Sequence, residues 1–216
     1  MNEPFNTKKI IMIGAGGLAV EIYSSLVTFY GNRIRKNFLG FISNEKKEQV
    51  IIDNKRIIGN DTYLIKKFSN INVIIAIGNI SLRKKIYNKL KKKNFFFPNI
   101  YSPNLNFKLN KVKIGKGNIF CNNSIVRPRV SFGNFNIINM NAIISHDCKI
   151  GNFCNLNPTS VLSGNVKIED NCEIGSNSSI HANIKIKKNC IIGIGSALIN
   201  NTKEGKTYFG TPARML

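Results

Sequence analysis

Histidine occurs only twice in this chain of 216 residues, so a zinc centre built on three histidines is excluded. The five cysteines form no C-x-x-C pair, which removes the commonest thiolate metal and redox motifs. Long apolar runs are missing too: Val73–Ile77 is strand-length, far short of the roughly 20 residues that span a bilayer. Met1–Lys9 contains no apolar stretch of the signal-peptide kind, and the expectation is a cytoplasmic protein without stable membrane insertion. Acidic residues are scarce, eleven against 32 Lys and Arg, for a formal charge of +21. That balance would suit nucleic acid, an anionic membrane surface or anionic small substrates. The lysines, however, run through the whole chain alongside abundant Asn and Ile, as a compositional bias produces. No aromatic residues interleave with basic ones as single-strand binders require, so no nucleic-acid partner is expected. The densest basic cluster, Arg83–Lys93, has the pattern of a solvated helix face with Ile86, Tyr87 and Leu90 as its apolar stripe. With 43% hydrophobic and 20% charged residues the chain can bury a core, which excludes a disordered segment or a disulfide-stapled miniprotein.

What the chain has in quantity is a repeat. From Val112 it divides into fifteen hexapeptides ending at Asn201, and the third place of each is apolar, from Ile114 and Phe120 through to Ile192 and Leu198. The fourth place is Gly at 115, 133, 151, 175 and 193, and the sixth is Asn in eight of the fifteen, as suits a turn residue that tolerates positive φ. Period six is strand-and-turn grammar that no α-helix shares. Three hexapeptides make an 18-residue triangular coil, and fifteen make five coils stacked at about 4.8 Å. The predicted architecture is a left-handed parallel β-helix. Cys148, Cys154, Cys172 and Cys190 fall in the inward first place, and the last three are 18 apart, so they stack as small, reduced core fillers with no metal.

The first hundred residues follow another pattern. Lys9–Ile13 is an apolar strand, followed by Gly14-Ala15-Gly16-Gly17-Leu18-Ala19 and a helical stripe of Val20, Tyr23, Ser24 and Val27. Phe38–Ile42 and Val73–Ile77 are further strands; Gly78-Asn79 follows, and Ser81 is the expected cap of the basic helix. This order predicts a small doubly wound, Rossmann-like sheet over residues 1–104, joined to the β-helix of residues 105–216. The glycine turn opens a helix after a strand, where backbone can approach a phosphate. The fingerprint departs from that of a dinucleotide fold: Gly17 comes one place early, Ala19 stands at the last glycine, and Ser43-Asn44 replaces the ribose-holding acid. This argues against NAD and leaves two readings, a nucleotide diphosphate site or a turn that needs glycine only for packing.

His146 occupies the fifth, corner place of its hexapeptide, pointing outward beside Asp147, as a general base with a carboxylate neighbour would. His181, in a fourth place, has the character of a solvated turn residue. No outward cysteine lies beside His146 to act as a nucleophile.

Taken together, strand-GAGG-helix, AIGN before a basic helix, S-H-D-C-x-I-G in the β-helix and a closing G-T-P-A-R resemble the sugar acetyltransferases of the NeuD (sialic acid O-acetyltransferase) and PglD (UDP-4-amino-sugar N-acetyltransferase) group. The resemblance covers nearly the whole chain. It implies a homotrimer with acetyl-CoA between neighbouring β-helices and a nucleotide-sugar on the N-terminal domain. It implies His146 as general base, Asp147 as the acid that raises its basicity, and Asn139 as a sugar contact. Gly16, Gly17 and Gly78 match the backbone that receives the nucleotide, while Gly164, Ser176 and Ile194 fall at acetyl-CoA contacts and Gly210–Arg214 at the closing segment. The chain departs from the family at Leu18, where a histidine or similar side chain is usual, at Ser43 and Asn44, where an Asp pair is common, and at Asn155, which replaces a second histidine near the cofactor. The implied reaction is acetyl-CoA-dependent N-acetylation of a nucleotide-linked 4-amino-4,6-dideoxy sugar in surface-glycan biosynthesis. Two alternatives accompany it, O-acetylation of sialic acid or a related sugar, and a non-catalytic basic scaffold or nucleic-acid binder.

Overall fold

A computed structural model describes residues 8–44, 49–102, 104–107 and 112–216. The first seven residues, part of the stretch considered above for a signal peptide, lie outside the described residues. The chain divides into two compact units, Met1–Pro98 and Asn99–Leu216. No helix among the described residues is long and apolar enough to cross a membrane.

In the first unit β1 (Ile10–Ile13) lies between β2 (Phe38–Ile42) and β5 (Ile71–Ile75), parallel to both. On the β2 side follow β4 (Lys55–Gly59), parallel to β2, and β3 (Val50–Ile52), antiparallel to β4; on the β5 side lies β6 (Phe95–Phe96). The order β3-β4-β2-β1-β5-β6 puts a topological switch at β1, because the chain leaves β1 for one neighbour and later returns as the other. All four residues of β1 are buried, the continuous apolar run of a strand covered on both faces.

Helix α1 (Gly17–Tyr30) buries Ala19, Ile22, Tyr23 and Leu26, one step out of phase with the stripe expected from sequence. The helix offers apolar residues in two phases, and the sheet selects the one that sets Tyr23 edge-on to Phe38 and Phe41, ring centroids 4.8 and 6.1 Å away. Helix α2 (Asn32–Asn37) leads into β2, and α3 (Asp61–Lys67) follows β4. Helix α4 (Ile80–Leu90) is capped two residues earlier than expected: Asn79 accepts from the Leu82 N–H at 2.8 Å, and Ser81 sits inside the first turn. Its buried face is Arg83, Ile86 and Leu90, with Tyr87 only partly covered.

The second unit is a triangular coil. Ile137–Ile138 and its 18-residue repeats form one face, Ile143–Ile144 and its repeats a second, and Lys149–Ile150 and its repeats a third. Strand Ile100–Tyr101 pairs with Ile119–Phe120, so the first face begins ahead of the first hexapeptide. At the far end Thr207–Gly210 adds a rung and Ala213–Met215 turns back antiparallel to it, closing the stack. Third-place residues from Phe120 to Leu198 are all buried and make the core.

The sixth place has φ between +55° and +68° in every hexapeptide from Gly117 to Gly195, including Arg129, Phe135, Phe153 and Thr159. A left-handed residue other than Gly or Asn costs about 1–2 kcal/mol, so the stacked turns impose a conformation that Asn meets at least expense. Cys148, Cys154, Cys172 and Cys190 are buried thiols, and burial pushes the Cys148 thiol up to about 11. In the column of Cys154, Cys172 and Cys190 the two asparagines are satisfied: the Asn118 and Asn136 amides donate to the Gly133 and Gly151 carbonyls at 2.9 and 2.8 Å, and Asn118 Oδ1 accepts from the Asn136 N–H at 2.9 Å.

Fourth-place glycines are a requirement of coil spacing. A Cβ on Gly151 would run into the Asp170 carboxylate and come within 2.8 Å of the Glu169 carbonyl carbon on the next coil. Gly151→Ala is therefore expected to cost about 1–3 kcal/mol, seen as a lower denaturation midpoint without change in the chemistry of the site.

Candidate functional site

Where β1, β2 and β5 end, the first unit opens a cavity of about 560 Å³. The turn Gly14–Leu18, the β2 exit at Ser43 and Asn44, the β5 exit Ala76–Gly78, and Asp61, Leu82 and Ile86 line it. The structure thus brings together all six residues of this unit that sequence singled out for a substrate: Gly16, Gly17, Leu18, Ser43, Asn44 and Gly78. The crevice is the one that doubly wound sheets present to ligands, and the start of α1, which has no side-chain cap, lines it.

The glycines of the turn separate into two kinds. Gly14 has φ +110°, and a Cβ there would meet the Ala76 carbonyl oxygen at 2.5 Å, so the fold itself demands glycine. Gly16, Gly17 and Gly78 have no positive φ, and a Cβ on any of them would meet nothing within 4 Å. Neither conformation nor packing asks for glycine at these three, and all three line the cavity. Their bareness keeps backbone accessible to whatever enters, which favours a ligand over the packing explanation.

Two residues that sequence reasoning passed over shape this cavity. Arg83, 1% exposed, donates from Nη1 to the Ile77 and Gly78 carbonyls at 2.6 and 3.0 Å and so holds the β5 exit in place. Its spacing with Ile86 and Leu90 was the available signal, since positions three and seven apart share a helix face. Arg83→Met should keep the buried volume but release the loop; we expect a fall of about 2–3 kcal/mol in stability, measured by denaturation. Asp61, at the start of α3, brings an acidic group to the cavity wall, 3.2 Å from Lys89.

The second candidate lies on the coil. His146 and Asp147 occupy the corner between the second and third faces. His146 Nδ1 is 2.7 Å from Asp147 Oδ2. Arg129, one coil earlier, donates Nε to Oδ1 at 2.6 Å and Nη2 to Oδ2 at 2.7 Å. The Arg129 guanidinium first, then His146, hold the Asp147 carboxyl well below the usual carboxylate range, so it is an acceptor only. Nδ1 must then carry the proton, leaving the Nε2 lone pair to act as a base on an imidazole that is 56% exposed. Gly164, one coil later, lies against the ring: a Cβ there would sit 2.7 Å from Cε1 and 2.9 Å from Nε2.

Asn139, Ser176 and Ile194 fall on the corner between the first and second faces, and Asn155 is buried on the first face. Within one chain, then, only Gly164 of the four residues expected near acetyl-CoA joins His146. His181 shares the His146 corner two coils on, exposed, its Nδ1 3.2 Å from the Ala182 carbonyl oxygen. Among the described residues no three His, Cys, Asp or Glu converge as a metal site would.

Fold and sites together define a class: an α/β domain with a crevice at its topological switch, joined to a hexapeptide-repeat β-helix. Residues 9–90 match the family model of the PglD N-terminal domain. The acetyltransferase domain of PglB from Neisseria gonorrhoeae FA1090 superposes with a TM-score of 0.88 at 21% identity, covering 97% of this chain and 100% of that one. PerB from Caulobacter crescentus, solved with CoA and GDP-perosamine, gives 0.86 at 23% identity over 96% and 97%. WeeI from Acinetobacter baumannii AYE gives 0.85 at 26% identity over 97% and 100%. No curated protein sequence matches the chain. The first unit is thus similar to the PglD N-terminal domain over residues 9–90, and the chain as a whole has the fold of the PglB acetyltransferase domain, PerB and WeeI.

Proposed function

We propose that this protein transfers an acetyl group from acetyl-CoA to the amino group of a nucleotide-linked amino sugar, with His146 as general base. The observation that carries the reading is the oriented His146–Asp147 pair, its imidazole exposed on a β-helix corner. The amine nitrogen attacks the thioester carbonyl carbon while Nε2 accepts the N–H proton. The C–S bond then breaks, and the imidazolium returns that proton to the departing sulfur, giving an amide and free CoA thiol. Backbone N–H groups of a coil stabilise the oxyanion between these steps. No acyl-enzyme is required, and the cysteines, all buried, supply no nucleophile.

In the first unit the nucleotide diphosphate occupies the cavity bounded by Gly16, Gly17 and Gly78, with Leu18, Ser43 and Asn44 around its nucleoside. Support comes from the three glycines that the fold does not need. The matched structures agree, since PerB has been solved with CoA and GDP-perosamine and the PglB domain with acetyl-CoA.

The working unit is a homotrimer. The outward row of the second face from Ile125 to Ala197 is apolar and half-buried at Ile125, Ile143, Val161 and Ala197, and is broken by the exposed Ser179. This row runs between the His146 corner and the Ser176–Ile194 corner, so packing it against a second copy brings the base of one protomer toward the acetyl-CoA residues of its neighbour. We place Asn139 at the sugar, Asn155 near the cofactor, and the reaction in the cytoplasm on a route to surface glycan.

The nature of the acceptor is tested by the product. Mild alkali cleaves esters and spares amides, so mass spectrometry should find the acetyl mass retained after base treatment. Its loss would assign the transfer to a hydroxyl, as on sialic acid.

A further inference from the structure

We infer that Arg129 is a positioning residue for His146, acting through Asp147 to hold the imidazole in the tautomer whose Nε2 is the base. This deepens the proposed function and rests on its assignment of His146.

The geometry is a relay of fixed orientation. On an exposed corner, an aspartate with a single hydrogen bond to a neighbouring imidazole can turn away to water at little cost. Here both carboxylate oxygens are taken by the planar guanidinium, Nε on Oδ1 and Nη2 on Oδ2, and the Oδ2 so fixed receives Nδ1–H of His146 at 2.7 Å. A bidentate fork sets the plane of the carboxylate as a lysine could not. The backbone prepares the pair. Arg129 and Asp147 are sixth-place residues of successive coils with φ of +62° and +64°, and the Asp147 N–H donates to the Pro128 carbonyl at 3.2 Å. The two side chains therefore leave parallel turns 18 residues apart.

Residue choice in this column points the same way. The next two sixth places of the corner are Asn165 and Asn183, the default of the repeat. Arginine tolerates left-handed φ less well than Asn, so the turn gives up backbone stability at 129. An exposed ion pair returns little in compensation. Stability does not explain the exchange; orientation of His146 does. The guanidinium charge also offsets that of the carboxylate, so the pair contributes orientation more than negative potential.

With two histidines in the chain, ¹⁵N-histidine labelling gives two ring systems, and His181 serves as an internal reference. In the full-length protein at a pH where the rings are neutral, His146 should show the Nδ1–H tautomer. In Arg129→Gln its ring nitrogens should move toward the Nε2–H form preferred by free imidazole, with His181 unchanged. Arg129→Lys, which keeps the charge and loses the fork, should fall between them and serves in place of Arg129→Gln if that variant does not fold. The kcat of Arg129→Gln should drop about 10- to 100-fold with both KM values unchanged. A wild-type tautomer in Arg129→Gln, or a raised KM with normal kcat, would overturn the inference. A tautomer shift in a protein whose His146→Ala variant still turns over would instead leave the positioning role standing and remove the functional reading.

Discussion

His146→Ala should lower turnover by about 10²–10⁴-fold while leaving the coil intact. The contacts that orient His146 are made by its ring, 2.7 Å from Asp147 and against Gly164, so the alanine removes the imidazole without touching a core residue. The core lies in the inward places, and His146 points the other way. Thermal denaturation should thus be near that of the parent, and acetyl-CoA should still bind. A variant with near-normal rate would remove His146 from the mechanism.

The second large effect is expected at Gly17. Position 17 starts α1, has no positive φ, and a Cβ there meets nothing within 4 Å. Gly17→Val should therefore leave stability within about 1 kcal/mol of the parent, since removing a glycine also restricts the unfolded chain. Yet its isopropyl group would stand in the crevice where the diphosphate is proposed to lie. We expect binding of the nucleotide-sugar to weaken at least tenfold, about 1.4 kcal/mol, with acetyl-CoA affinity retained. Titration calorimetry with each substrate separates the two. Gly14→Ala makes the contrast, because φ +110° and the Ala76 carbonyl at 2.5 Å require glycine for the fold itself, and there stability should fall.

The coil was legible because its information is periodic and local: each hexapeptide names its own inward residues, and Phe120 through Leu198 are buried as their third places demand. The crevice was legible for a related reason, since the turn after β1 and the exit of β5 must meet at the switch of a doubly wound sheet. What the sequence hid are choices made across space. Helix α1 offers two apolar phases, and only the sheet decides that Ile22 and Leu26 are buried while Val20 and Val27 are not fully covered. The β3–β4 hairpin went unread although Asp53 and Asn54, with φ +49° and +58°, are the turn pair that allows it. Arg83 looked like one more member of a basic face, yet its phase relative to Ile86 and Leu90 buries it. Arg129 lies 17 residues from His146 in sequence and becomes its indirect partner only once the coil is wound at period 18.

The central claim is acetyl transfer to a nucleotide-linked amine, and release of CoA thiol measures it most directly. Purified protein is mixed with acetyl-CoA and a panel of UDP-, GDP- and dTDP-linked 3-amino and 4-amino sugars. The account predicts thiol release with at least one of them, stoichiometric with an alkali-stable acetylated product and lost in His146→Ala. No release with any member of the panel, with acetyl-CoA bound and the protein folded, would contradict it.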